Sequence, residues 1–184
     1  MPVKALNTLF FLAAAVTSMS AAADCRPDKI KSSTPSSQFT VEEQIVTDNH
    51  TTLIWTRCAV GQRWDGKACM GQPRTVNWSD AMALVGKLNA DNHAGHHDWR
   101  LPVMPELASI VERQCFNPRM NEEVFTGAPS MKFWSSMEKM GAPEFAYTID
   151  FGSGEAVPTS KATMGAVRLV RGGPWWQPPA MSQR

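Results

Sequence analysis

Apolar positions recur along this chain with two different periods, and the changes of period divide it into blocks. From Phe39, the apolar residues Val41, Ile45 and Val46 lead into the polar run Asp48-Asn49-His50-Thr51, and Leu53-Ile54-Trp55 follows. This predicts two strands joined by a tight turn. Cys58 and Cys69 then bracket a stretch whose Asp65-Gly66 pair signals a type I′ hairpin. Over 79–89 the period lengthens: Ala81, Leu84, Val85 and Leu88 recur at helical spacing, with Ser79 or Asn77 available as N-cap. A second helix is predicted over about 105–114, where Leu107, Ile110 and Val111 form the stripe and Pro105 suits the first turn. After Cys115 the texture returns to β. Phe133-Trp134-Ser135-Ser136 reads as one strand, and Tyr147, Ile149 and Phe151 alternating with Thr148 and Asp150 as a second. Val167-Arg168-Leu169-Val170-Arg171 reads as a third, and Gly152-Ser153-Gly154 punctuates the second. Strands, two helices and strands again, without βαβ alternation, predict a single α+β domain. No repeat is visible at periods of about 20 to 50 residues.

The two ends differ from this body. Lys4 precedes an apolar run from Ala5 to Val16, and the small residues Ser20-Ala21-Ala22-Ala23 follow, the order of a secretory signal peptide over 1–23. The run is about a dozen residues, short of the roughly 20 that a membrane-crossing helix needs, and no later stretch supplies a transmembrane segment. Asp24 before Cys25 argues against lipidation at that cysteine. Residues 24–38, with Pro27, Pro35 and a Ser/Thr cluster, read as a flexible arm, and 173–184 as a Pro-rich tail. The chain's 184 residues, 43% hydrophobic, suffice for one core and leave little for a second. Lys plus Arg (18) nearly cancel Asp plus Glu (17), so no broad field is available to hold a nucleic-acid backbone or an anionic bilayer.

All four cysteines, Cys25, Cys58, Cys69 and Cys115, fall after the predicted cleavage point. An even count in an exported chain favours two disulfides, with three connectivities open. A bridge from Cys58 to Cys69 would staple the small hairpin. Zinc is the competing reading, but no C-x-x-C pair occurs.

The set Thr52-Leu53-Ile54-Trp55, Cys58 with Gly61 and Trp64, Cys69, Trp78 with Ala81, Asp98-Trp99-Arg100-Leu101-Pro102, Glu106-Leu107, Cys115-Phe116-Asn117-Pro118, Phe133-Trp134-Ser135-Ser136 and Val167-Arg168-Leu169-Val170-Arg171 closely resembles the bacterial Lcl C-terminal domain family. The resemblance covers roughly 45–172, within a domain placed at 39–172. It implies a C-type lectin-like fold, akin also to the formylglycine-generating enzyme fold, with two helices packed on antiparallel β-hairpins. It further implies an exported domain, with carbohydrate or glycosaminoglycan attachment as the activity of one branch. The preferred disulfides are Cys58 to Cys69 and Cys25 to Cys115. This chain departs from the family in two respects. Val103 stands where relatives usually carry Thr or Asn, which removes half of a capping box with Glu106. The basic character of a sulfated-polysaccharide binder is also missing.

Asp98, Trp99, Arg100 and Glu106 are expected to form a structural motif, with Trp99 in the core and Arg100 pairing with Asp98, Glu106 or buried carbonyls. His93, His96 and His97 carry metal-binding imidazoles, but crowding in sequence does not ensure convergence, and neither a metal nor another cofactor is expected; the calcium-binding runs of lectins are absent. No nucleophile elbow is present, and Cys115 is the last cysteine, so the formylglycine-generating chemistry is not expected and the chain reads as a non-enzyme. Seven tryptophans against one tyrosine suggest sugar stacking. Trp55, Trp78, Trp99 and Trp134 are assigned to the core, leaving Trp64 with its neighbour Arg63, and Trp175-Trp176 in the tail, as ligand-contact candidates. The function expected is a periplasmic, secreted or surface binding and adhesion module for a polysaccharide or an envelope protein. The alternatives are a structural subunit of an envelope or pilus assembly, and a metal-dependent enzyme built on His93, His96 and His97.

Overall fold

The computed structural model describes residues 23–173; the predicted leader, 1–23, lies outside the described residues except for Ala23, and the tail, 173–184, except for Gly173. The chain enters as the short strand β1 (Asp24–Cys25) and reaches β2 (Phe39–Glu42), β3 (Ile45–Asp48) and β4 (Ile54–Thr56), consecutive antiparallel neighbours. The apolar run from Phe39 to Val46, read from the sequence as one strand, is therefore itself a hairpin. Glu43, at φ 43°, takes the left-handed turn conformation that reverses it, and a Glu-Gln pair carries no turn signal that a sequence reading could use. The next turn is made by chemistry that does show in sequence. The buried Asp48 carboxylate accepts the Thr51 hydroxyl at 2.7 Å and the His50 N–H at 2.9 Å.

β5 (Arg63–Trp64) and β6 (Cys69–Met70) form the hairpin bridged by Cys58–Cys69. Its turn is not type I′. Trp64 lies opposite Cys69, and Gly66 has φ 98° whereas Asp65 is not left-handed. The Asp65 carboxylate instead accepts the N–H groups of Lys67 and Ala68 at 2.8 and 2.9 Å, closing a longer loop. β7 (Thr75–Val76) leads into α1 (Trp78–Ala90), whose cap is Asn77: its side-chain oxygen accepts the Asp80 N–H at 2.9 Å. α2 (Met104–Ser109) is shorter than its apolar stripe implies. Ile110 and Val111 are buried beyond the last helical turn, because the chain unwinds there to turn Glu112 inward.

The remaining strands are β8 (Cys115–Phe116), β9 (Lys132–Lys139), β10 (Ala142–Asp150), β11 (Glu155–Ser160), β12 (Gly165–Ala166) and β13 (Val170–Arg171). They give a five-stranded sheet in the order β11-β10-β9-β12-β7 and a four-stranded one in the order β13-β4-β3-β2. The architecture is α+β, mostly sheet, with two α-helices and two disulfides. Pro158 and polar neighbours hid β11 from the sequence reading; as an edge strand it tolerates a residue without an N–H. Val167, Arg168 and Leu169, read as strand, connect β12 to β13 irregularly: the Val167 carbonyl accepts the Val60 N–H, the Leu169 carbonyl accepts the Thr56 N–H, and the Arg168 guanidinium donates to the Thr56 and Arg57 carbonyls. α2 packs on β9 and β10, and α1 on β9. One core cluster gathers Trp55, Leu107, Phe125, Phe133 and Phe151, and a second gathers Ala81, Leu84, Trp99, Leu101 and Trp134.

Residues 24–38, read from sequence as a flexible arm, are bound to the domain at several points. Cys25 is bridged to Cys115, and β1 pairs with β8. Further along, the Glu112 carboxylate accepts the Ser32 hydroxyl at 2.5 Å, the Ser33 N–H at 3.0 Å, and the Thr34 N–H and hydroxyl at 2.9 Å each. The serines and threonines that make the arm look like linker are thus the donors that fix it. Burial opposes ionisation of Glu112, but the Gln114 N–H and these arm donors outweigh it and pull its pKa down to about 2. A carboxylate with a depressed folded pKa stabilises fully above its unfolded value of about 4.3 and loses that contribution as pH falls toward the folded one. Glu112→Gln is expected to cost about 2–3 kcal/mol at neutral pH and to flatten the acid-induced loss of stability below about pH 4.5. Urea unfolding of both chains at neutral and acid pH measures this; parallel stability curves would show that the arm does not depend on this carboxylate.

Candidate functional site

Trp64 is brought to a cavity of about 240 Å³ where Gln44, Gln62, His93 and Ala94 also form the wall. Three separate parts of the chain meet there: the β2–β3 turn, the bridged hairpin and the 93–95 turn. Trp64 is half-buried, and the Arg57 guanidinium lies 3.8 Å from its ring centroid. Arg57 is itself held, its Nε donating to the Val124 carbonyl at 2.9 Å, and partial burial lowers its pKa. Gln62 Nε2 donates to the Gly127 carbonyl at 3.1 Å and its Oε1 accepts the Ala59 N–H at 3.2 Å, so this amide braces the wall. Gly61, at φ 96°, must be glycine, since a Cβ would stand 2.4 Å from the Arg74 nitrogen. Arg63 precedes Trp64 and is exposed.

A second concavity of about 300 Å³ adjoins the first, sharing Gln44 and Ala94 and adding Glu42 and Glu43. Two of the wall residues have left-handed backbone without being glycine: Glu43 at φ 43° and Ala94 at φ 48°, ψ 33°. Asn92, at φ 54°, makes a third beside them. For alanine this conformation carries a cost that the surrounding structure must hold in place.

The three histidines do not converge. His93 and His96 meet the Trp99 ring edge-on, with centroids 6.4 and 5.7 Å away, and His97 Nδ1 lies 2.7 Å from the Asn89 carbonyl oxygen. Burial lowers the pKa of His93. Among the described residues no three His, Cys, Asp or Glu side chains come together as a metal cage. The loop is organised around Trp99, whose backbone is clamped by the Asn89 amide at 2.8 and 2.9 Å and whose Nε1 donates to the His93 carbonyl at 2.7 Å.

The neighbouring motif residues divide between two ion pairs. Arg100 donates to both Glu106 oxygens, at 2.6 and 2.7 Å, and Glu106 also accepts the Val103 N–H at 2.9 Å. Half of a capping box therefore survives at a valine N-cap, made from the glutamate end alone. Asp98 pairs with Arg171 at 2.8 Å, and that hydrogen bond holds its carboxyl below the usual range. Trp55, Trp99 and Trp134 are buried, whereas Trp78 is half-buried, its Nε1 donating to the Ser135 carbonyl at 2.9 Å under the Lys161 ammonium. Trp175 and Trp176 lie outside the described residues.

A family model for the Lcl C-terminal domain matches residues 44–171. The chain belongs to the Lcl C-terminal domain family. No curated protein sequence matches the chain. The family span takes in Gln44, Gln62, Trp64, His93 and Ala94, so the first cavity lies within the Lcl domain, and Glu42 and Glu43 stand just before it. Trp64 and Arg63 were legible as candidates from their place on a bridged hairpin. Gln44 and Ala94 were not, because they reach Trp64 only through turns without a sequence signature.

Relieving the left-handed alanine tests whether the wall is strained. Ala94→Gly in the Lcl domain is expected to raise stability by about 0.5 kcal/mol, the backbone relief exceeding the entropy that glycine adds to the unfolded chain. Thermal unfolding reads this, and a loss of about 1 kcal/mol would show an unstrained turn.

Proposed function

We propose that this Lcl domain is an exported, non-catalytic binding and adhesion module that holds a saccharide unit of a surface polysaccharide against Trp64. The observation that carries the reading is the half-buried indole at the wall of a cavity, backed on a ring face by Arg57 and flanked by the Gln44 amide and the His93 imidazole. An aromatic ring beside planar polar groups suits a pyranose, which offers an apolar face and a rim of hydroxyls. Glu42 and Glu43 at the adjoining concavity favour a neutral or amino sugar over a sulfated chain.

The finer fold assignment, C-type lectin-like, belongs to the same proposal. It is supported by family membership and by the closure of the β2-β3-β4 hairpins with the late strand β13, both helices lying between them in the chain. Export rests on the leader-like sequence of 1–23, with cleavage near Ala23. Two disulfides are compatible with an oxidising compartment, and no helix of the described residues is long and apolar enough to cross a membrane.

Binding to a bacterial glycan array is the test. Trp64→Ala is expected to weaken the signal about tenfold or more and Trp64→Phe to retain most of it, since stacking needs a ring and not the indole N–H. No signal across the array for the native chain would overturn the saccharide reading.

A further inference from the structure

Arg168, on the connection between β12 and β13, is fully buried. Its Nη1 donates to the Thr56 carbonyl at 2.8 Å and to the Arg57 carbonyl. The Phe125 and Phe133 rings pack against the guanidinium, their centroids 4.9 and 5.6 Å from its carbon centre. Its other two nitrogens, Nε and Nη2, have no hydrogen-bond partner among the described residues. Those two nitrogens form the side-on edge of the guanidinium. That edge presents a pair of parallel N–H groups, the geometry with which arginine grips one anionic group.

The protein's own carboxylates do not meet this edge. Asp48, Glu106 and Glu112 are the buried ones among the described residues, and each is taken elsewhere: by the β3–β4 turn, by Arg100 and by the arm. Trp55 Nε1, in the same core cluster as Phe125 and Phe133, is a further buried donor without a partner. No buried side-chain acceptor among the described residues is left over to match these donors. A water molecule would meet them, but it brings two hydrogens that need acceptors of their own and no charge. A monatomic anion supplies acceptor and negative charge together, where an uncompensated buried cation is costly. We propose that the Nε–Nη2 edge of Arg168 binds one buried halide ion, chloride where chloride is available, enclosed as the domain folds around Phe125 and Phe133.

Thermal unfolding of the full chain between about 10 and about 500 mM chloride, at an ionic strength held constant with gluconate, is expected to show Tm rising by about 3 °C or more. Bromide is expected to replace chloride in this effect. Arg168→Met, which keeps apolar volume between the two rings and removes the edge, is expected to lose the rise. No rise in the native chain, or an equal rise in Arg168→Met, would overturn the proposal. A second measurement does not depend on the variant folding. Crystals of the native chain grown in moderate bromide are expected to show anomalous scattering in contact with both Arg168 Nε and Nη2. Density there without an anomalous signal would assign a water, and a signal appearing only in molar bromide would show an adventitious ion only; either result overturns the halide site.

Discussion

A carboxylate withdrawn entirely from water must find all its hydrogen bonds inside the protein, and the closure of this fold is arranged around one such group, that of Glu106. Its two oxygens take both arms of the Arg100 fork and the Val103 N–H. Those bonds fix the start of α2 where valine offers no side-chain acceptor. Arg100 exchanges backbone hydrogen bonds with Val170 at 2.9 and 3.0 Å and donates to the Gly172 carbonyl, so the same pair that starts α2 also ties down the strand that closes the domain. Removing one partner would leave the other a charge without compensation, which is far more costly than the net worth of the pair. Helix entry, last strand and exit of the tail therefore share one electrostatic dependence.

A second buried charge has no carboxylate partner among the described residues. Arg168 is fully buried, stacked over Phe125 and Phe133 with its carbon centre 4.9 and 5.6 Å from their centroids. Burial pulls its pKa down to about 9, which still leaves it charged at neutral pH. It donates to the carbonyls of Thr56 and Arg57, and among the described residues its Nε and Nη2 have no hydrogen-bond partner. Such a cation is costly, and what it secures is the backbone at the end of β4. There the Thr56 N–H also donates to Leu169 at 3.0 Å, and Arg57 then extends its side chain over Trp64. The position of the candidate stacking ring thus traces back through Arg57 to a buried cation on the connection between β12 and β13.

Where the sequence was legible, local chemistry and tertiary demand agreed. Asn77 caps α1, Asp48 makes its turn, and the aromatic alternation of 133–151 appears as β9 and β10. The reading failed where a distant partner decided the outcome. The apolar stripe continuing past Ser109 predicts helix, but Glu112 serves the incoming arm and the helix stops. The Ser/Thr composition of 32–37 reads as linker because a donor-rich segment has no core signature of its own; its acceptor lies about 80 residues away. The hairpin within 39–46 turns at Glu43, where nothing local favours φ above zero, so neither the turn nor the wall it lends to the Trp64 cavity could be read from residue type.

The cavity at Trp64 and the groove beside Met82 are not independent pieces of the molecule. The segment following α1 contributes His93 and Ala94 to the cavity at Trp64, and six residues later Arg100, Leu101 and Val103 to the groove beside Met82. Between them sits Trp99, 2% exposed, with its backbone N–H and carbonyl both taken by Asn89 and its indole N–H by the His93 carbonyl. The packed ring lies beneath the turn, whose backbone is left-handed at Asn92 and Ala94. The chain doubles back within a few residues to wrap the indole, and the ring nitrogen finds its acceptor in the turn itself, at the His93 carbonyl. The histidines of this loop divide accordingly: His93 and His96 close edge-on over the indole, His97 meets the Asn89 carbonyl at the end of α1, and of the three His93 alone lines the cavity at Trp64.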